Sequence, residues 1–342
     1  MLRLLLNKKS ILNIIQANYL KAEIINLVKP LHLHKERIFF FLKIIIAAAL
    51  IYYLVSTLKL NEVIYPLKNA NILLILAAVA LLIPNIFLQF LKWKIFCNKF
   101  LGENSNGKIL TSLLIGLSGG ILVPYSIGEY IGRNIPFKDK PAVDVTLTTL
   151  LDNLCHLFVI IFFGSFSALI FIQDYYEVSF YLIIPITIIL LALYYSLFAI
   201  IVNTNFGNLI KSKLGRYKFF TKYFESSSVL GGFSREMFIK IILISVLLFF
   251  CYTFQFALLL SAFSHQSNLL QFQWVGILVI FSKTVIPAIS FGDLGVREGA
   301  SVFFAAQIGL TAAVGFNASI FLFFINVLFP AVIGALLMLK RN

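Results

Sequence analysis

Gly128-Glu129-Tyr130-Ile131-Gly132-Arg133 and Gly292-Asp293-Leu294-Gly295-Val296-Arg297 read alike: glycine, acid, three residues, arginine. Each follows a proline by four or five residues, Pro124 and Pro287, and each interrupts apolar sequence. A charge at mid-membrane costs about 3 kcal/mol even on the lenient insertion scale. Two related charged patches, one in each half of the chain, point to a duplicated membrane protein whose repeats meet at a functional centre.

Composition agrees on the solvent. Of 342 residues, 60% are hydrophobic and 12% charged, and the mean hydropathy is +0.96. Several apolar runs approach or exceed the roughly 20 residues that span hydrocarbon as a helix. The expected fold is an all-α polytopic membrane protein. The longest polar stretch, 203–236, is too short for a soluble domain. Cys97, Cys155 and Cys251 are scattered singly, so neither a metal site nor a disulfide framework is expected. No cofactor is expected. The first 37 residues lack the pattern of a cleavable signal peptide and read as a basic segment, either interfacial or frayed.

Membrane helices are expected at 38–58, 71–91, 143–172, 180–202, 237–263 and 311–339, with two further apolar stretches at 109–127 and 274–289. Lys/Arg bias sets orientation. Basic residues gather in the N-terminal segment, in Lys92–Lys108, Arg133–Lys140 and Lys211–Arg235, and at Lys340 and Arg341. If 109–127 crossed the membrane, two of these clusters would fall on opposite faces. Read as a re-entrant hairpin, with its tip at Leu117-Ser118-Gly119-Gly120, it leaves all five clusters and both termini in the cytoplasm. The Trp274–Leu310 region reads as a second hairpin entered from outside. The chain then comprises a segment 1–37 and one transmembrane domain, 38–342, made of two inverted halves, about 38–172 and 180–339. Each half has two helices, a hairpin and a third helix. Eight ordinary spans are the alternative.

Gly119-Gly120-x3-Pro124-x3-Gly128-Glu129-x3-Arg133, with Pro287-x4-Gly292-Asp293-Leu294-Gly295-Val296-Arg297-Glu298-Gly299, resembles the membrane-embedded lysylphosphatidylglycerol synthase region. That family is also called YbhN-like and includes the flippase half of the MprF proteins. The likeness covers most of the chain after residue 40. Asp293 stands where a second glycine is common in the motif. The resemblance implies a lipid-translocating fold for an amino-acylated or otherwise modified phospholipid. MprF-type proteins also carry a soluble aminoacyltransferase domain, which this sequence is expected to lack, so it is read as a translocase in the cell (inner) membrane and not an enzyme. A homo-oligomer and a separate synthase partner both remain open.

The candidate substrate-binding residues are Arg133, Arg297, Glu129, Asp293, Glu298 and Lys283, with Gly128, Gly292 and Gly295 allowing close approach. Glu129/Arg133 and Asp293/Arg297 are each four apart, the spacing at which acid and base pair on a helix. Such pairs either neutralise a strained turn or present a guanidinium to a lipid phosphate, which it grips with two donors. Arg297 is the leading phosphate contact. The acids would hold an arginine in place or attract a cationic headgroup. Asp152 and His156, also four apart, form either a proton relay or a polar seam. Lys283 is expected to face the cavity or an acid such as Glu298. The expected partners are membrane phospholipids with anionic or modified headgroups. The net charge of +14 follows from orientation, so nucleic acid is not needed to explain it. A small-anion transporter and a membrane-integral lipid-headgroup enzyme are the competing classes.

Overall fold

The computed structural model of the chain describes residues 60–122, 127–202, 234–286 and 295–340. Among the described residues there are helices and no strand: α1 Leu60–Lys68, α2 Ile72–Leu101, α3 Asn106–Leu122, α4 Ile127–Asn134, α5 Ala142–Tyr176, α6 Phe180–Val202, α7 Arg235–Ser264, α8 Leu269–Val285, α9 Val296–Gln307 and α10 Ala312–Leu339. Five of them, α2, α5, α6, α7 and α10, are long and apolar enough to cross a membrane. The protein is an all-α polytopic membrane protein. The sixth expected span, 38–58, lies outside the described residues, as do segment 1–37 and most of the 203–236 loop.

Polar side chains start several helices. Asn71 accepts from the backbone of Leu73 and Leu74, Ser234 from Met237, Asn268 from Gln271 and Thr311 from Val314, each satisfying a donor that a helix start leaves open. One expected boundary moves. The second span was expected to end at Leu91, but α2 continues through Lys92 and Lys94 to Leu101. Lys92 is therefore a buried residue inside a helix and not the first residue of a polar connection. The helix carries it inward because a carboxylate, Asp152, awaits it at 3.0 Å.

The internal repeat extends far beyond the two motifs. Helices α2 and α7 are both 30 residues long, and α3 and α8 are both 17. Their ends correspond as 72 to 235, 101 to 264, 106 to 269 and 122 to 285, a constant offset of 163. The residues that end α2 and α7 obey it too. Gly102 (φ 60°) and His265 (φ 57°) both take the left-handed conformation that stops a helix. Past the hairpin tips the offset grows, and α5 and α10 begin at 142 and 312.

The repeat is inverted. The backbone N–H of Asn71 donates to the Ala262 carbonyl, Gln255 Nε2 donates to the Ala78 carbonyl, and the Cys251 thiol meets the Leu81 carbonyl. One number rises as the other falls, so α2 and α7 run antiparallel although they are equivalent elements. Only a two-fold axis across the helices relates them that way. Stepping by seven from 71/262 through 78/255 brings Asn85 opposite Leu248, which are themselves 163 apart. The axis therefore passes halfway along α2.

Each hairpin's long arm packs on the last helix of the other half, α3 on α10 and α8 on α5. Glycines permit both contacts. A Cβ at Gly334 of α10 would overlap the Leu114 carbonyl of α3, and one at Gly164 of α5 would overlap the Phe281 ring of α8. Gly164 and Gly334 each lie 22 residues after their helix start, 142 to 164 and 312 to 334.

The first hairpin corrects the expected tip. Leu117 to Gly120 lie inside α3, and residues 123–126, which connect α3 to α4, lie outside the described residues. The glycine pair serves proximity and not turning. Gly119 and Gly128 meet backbone to backbone, and Gly132 sits on the Ile115 carbonyl, so α3 and α4 run antiparallel with no room for a Cβ at any of the three. The eight residues of α4 and twelve of α9 are about 12 and 18 Å long at 1.5 Å per residue, too short for a hydrocarbon core of about 30 Å.

These contacts predict a graded response to alanine. Gly119→Ala and Gly334→Ala, which oppose backbone carbonyls, should each cost about 1–3 kcal/mol by overpacking, read as a lower melting temperature in detergent. Gly299→Ala in α9, where nothing lies within 4 Å, should leave melting unchanged or slightly raised.

Candidate functional site

A cavity of about 750 Å³ lies on the pseudo-two-fold axis. Three pairs of equivalent residues line it, Asn85 with Leu248, Gln89 with Tyr252 and Leu117 with Ile280, each pair 163 apart. The lining breaks that symmetry in its charges. Lys92, Glu129, Arg133 and Asp152 come from the first half and Lys283 from the second. Position 255, the equivalent of Lys92, is glutamine, and position 120, the equivalent of Lys283, is glycine.

Arg133 is the hub. Its Nη2 donates to Glu129 Oε1 at 2.6 Å and its Nη1 to Asp152 Oδ2 at 2.7 Å. Its guanidinium lies 4.3 Å from the Trp93 ring centroid, a cation–π contact inside the bundle. Lys92 Nζ reaches Asp152 Oδ1 at 3.0 Å and the Asp152 carbonyl at 3.3 Å. Asn153 donates to Glu129 Oε2 at 3.3 Å. Lys92, Arg133 and Asp152 are all under 5% exposed, so each ion pair offsets a desolvation that would otherwise expel the charge. Among the described residues, Lys92, Arg133 and Lys283 are the cations of the lining and Glu129 and Asp152 its carboxylates.

Local structure holds these groups in place. The Ser112 hydroxyl donates to the Arg133 carbonyl at 2.8 Å, fixing the end of α4. Gly116 leaves room for the Arg133 side chain, whose Cγ a Cβ there would meet. Asp152 lies ten residues into α5, about 15 Å along it.

The cavity also reaches the side of the bundle. Leu150 and Leu154 line it, each about 160° around α5 from Asp152, and they are 40% and 47% exposed. The cavity therefore wraps from the buried face of α5 to its outer face. A second groove, about 610 Å³, is lined by Ile127, Tyr130, Ile131, Asn134, Ala142 and Thr146, and shares Tyr130 with the cavity.

The second motif has other surroundings. Arg297 is fully buried and is not among the residues that line the cavity. Its Nη2 donates to Glu298 Oε1 at 2.6 Å and its Nε to Ser319 Oγ at 3.0 Å. Glu298 Oε2 accepts from the Gly295 backbone at 2.6 Å, and Gly295 starts α9 at φ 96°, a conformation glycine supplies. The Phe323 ring centroid is 5.2 Å from the guanidinium, and Tyr252 of α7 lies beside it. Asp293 and Gly292 lie outside the described residues. Gly128 is the second residue of α4.

Of the candidates for a relay, Asp152 is committed to Lys92 and Arg133, and no hydrogen bond joins it to His156 among the described residues. His156 lines the cavity one turn on, its Nδ1 without a hydrogen-bond partner among the described residues. Lys283 lines the cavity as expected; Glu298 is held by Arg297.

Sequence reasoning missed Lys92, Trp93 and an amide seam across the axis. Gln255 Oε1 accepts from Asn85 Nδ2 at 3.3 Å and from Asn326 Nδ2 at 3.0 Å, and Gln89 Nε2 donates to Asn85 Oδ1 at 2.7 Å. Asn326 sits in a π-helical turn, Phe324–Leu328. The available signal was four amides spaced through otherwise apolar spans, where each needs a partner.

The lysylphosphatidylglycerol synthase TM region family model matches residues 40–334, and the chain belongs to that family. Comparison with curated proteins and with solved structures gives no match.

The network predicts non-additive stability. Asp152→Asn leaves Lys92 and Arg133 facing each other and should cost about 3–5 kcal/mol, the penalty of breaking a buried pair. Adding Lys92→Met removes the stranded cation and should recover much of it. A double variant no more stable than Asp152→Asn alone in detergent melting would refute the shared role of Asp152.

Proposed function

We propose that this member of the lysylphosphatidylglycerol synthase TM region family moves a phospholipid between leaflets, holding the headgroup phosphate at Arg133, Lys92 and Lys283. The carrying observation is a cavity with the buried guanidinium of Arg133 on its floor and an apolar edge on the outer face of α5. A phospholipid has the matching two ends. Its phosphate matches the guanidinium fork of Arg133, and its acyl chains leave past Leu150 and Leu154 without abandoning hydrocarbon. A small anion would take the same cations but gains nothing from an opening toward lipid, so the lateral edge favours the lipid.

The proposal includes topology. Lys108 of α3, Asp139 after α4 and Lys340 of α10 come together at one end of the bundle, where Lys108 also meets Glu103 at 3.3 Å. That end we assign to the cytoplasm. The α3/α4 hairpin then enters and leaves from the cytoplasmic side, and α8/α9, its equivalent by the axis, from the outside. Both are re-entrant. Short helical arms wrapped in protein are tolerable at that depth.

Phosphate binding competes with the carboxylates. The incoming phosphate takes Arg133 from Glu129 or Asp152 while Lys92 retains Asp152, so the site is neutralised from within when empty. No covalent step is involved. Glu129, half-buried at the wall, is placed to receive a headgroup amine where the lipid carries one.

The test is exposure of a labelled phospholipid in proteoliposomes. Arg133→Lys keeps the charge and loses the fork. Transport should fall between about ten- and a hundredfold, the worth of one charge-assisted hydrogen bond of roughly 1.5–3 kcal/mol, with melting nearly retained. Wild-type vesicles that take up inorganic phosphate but scramble no lipid would favour the solute reading and end this one.

A further inference from the structure

Arg297 has an unexplained donor. Its Nη1 is buried and finds no hydrogen-bond partner among the described residues, although Glu298 and Ser319 occupy Nη2 and Nε and the Tyr252 hydroxyl lies within hydrogen-bonding reach of the guanidinium. A buried guanidinium nitrogen left without an acceptor costs about 1–3 kcal/mol, and such a group usually marks a ligand position or a conformation other than the one seen.

The wall between Arg297 and the central cavity includes one side chain that touches both. Tyr252 lines the cavity and lies beside the Arg297 guanidinium. By the 163 offset Tyr252 is the equivalent of Gln89, which lines the same cavity on the side of Arg133. The two arginines also share a plan. Each sits on the short arm of its hairpin, with an oxygen ligand from the last helix of its own half, Asp152 or Ser319, and a ring from the second helix, Trp93 or Tyr252.

Their states differ. Arg133 is on the cavity wall, and Arg297 is shut behind Tyr252. In an inverted repeat, exchanging the conformations of the two halves turns one state of access into the other. We infer that Arg297 is a second phosphate site, closed by Tyr252 in this state and opened when the halves exchange conformations. The ligand is the phosphate of the lipid headgroup or a free phosphate monoester, and the free donor of Arg297 is the group that receives it. Lys283, on the cavity wall supplied by the second half, lies on the way. The inference deepens the proposed function and rests on it only for the identity of the cargo.

Two arms separate the site from the cargo. In nanodiscs, a water-soluble arginine-selective dicarbonyl is applied and the Arg297 peptide is read by mass spectrometry. Wild-type Arg297 should react slowly. Tyr252→Ala should raise its rate about tenfold or more, by enlarging the open fraction, and sn-glycerol phosphate should suppress that gain. Tyr252→Phe, which keeps the ring and the packing, should give a smaller rise by removing the hydroxyl beside the guanidinium. Unchanged Arg297 reactivity in both variants overturns the gate. Increased reactivity that glycerol phosphate does not suppress overturns the site. Lipid exposure in Tyr252 variants is the second arm. Phosphate-protected reactivity together with no lipid movement in wild-type vesicles keeps the second anion site and removes the lipid reading, so the two failures are distinguishable.

Discussion

Asp152 lies inside a membrane helix with Lys92 on one oxygen and Arg133 on the other, and most of the site's geometry follows from that arrangement. Unpaired, any of the three would cost several kcal/mol at this depth and would not be held there. Paired, they fix three elements to one another: α2 through Lys92, α4 through Arg133 and α5 through Asp152. The short arm of the first hairpin has only eight residues and could not hold its position by its own backbone hydrogen bonds. Its place comes from the Arg133 pairs and from the glycine contacts that seat it on α3. Electrostatics and small residues thus do together what apolar packing alone cannot do among hydrocarbon tails.

The neutral seam beside the ion pairs performs a different task. Asn85, Gln255 and Asn326 link α2 to α7 and α10 at the crossing of the halves. Amides need no counter-ion, and each has both donors and an acceptor, so partners can be exchanged without stranding a charge. That suits a boundary across which two halves rock. The ion pairs of Asp152 and Arg297 each fall within one half, Lys92 and Arg133 to Asp152 in the first and Arg297 to Glu298 in the second. Fixed pairs inside each half and exchangeable ones between them are what a two-body motion requires.

Much of this plan was legible in the chain. Charge bias and one six-residue likeness pointed to related halves, α2 and α3 recur as α7 and α8 at a constant offset, and Glu129/Arg133 pair at the helical spacing expected of them. The hairpin tip was misread because glycine pairs have two uses. Gly119-Gly120 suggested a turn by conformational freedom, but in α3 glycine serves close approach to Gly128, and sequence does not separate the two. Lys92 was misplaced for a similar reason. A lysine at the end of an apolar run reads as the edge of the membrane unless its acid, sixty residues on, is known. The same blindness to partners hid the ligands of Arg297, which takes Glu298 and Ser319 in the described structure.

The repeat is close in backbone and loose in chemistry, and that difference has a physical logic. Helix lengths, stops and glycine seats recur at fixed intervals because the two halves must fit the same interface from both sides. The cavity on the axis is under no such demand, since on the proposed function a single substrate would occupy it. Lys92 has glutamine at its equivalent position and Lys283 has glycine, so the lining of the cavity differs between the halves. A symmetric cavity would hold an anion equally well in both states. On the proposed function, an unequal lining would make the two states bind it with different strength, and only a difference in affinity lets a ligand shift a conformational equilibrium. The backbone repeat would then supply two related states, and the unmatched lining residues the preference between them.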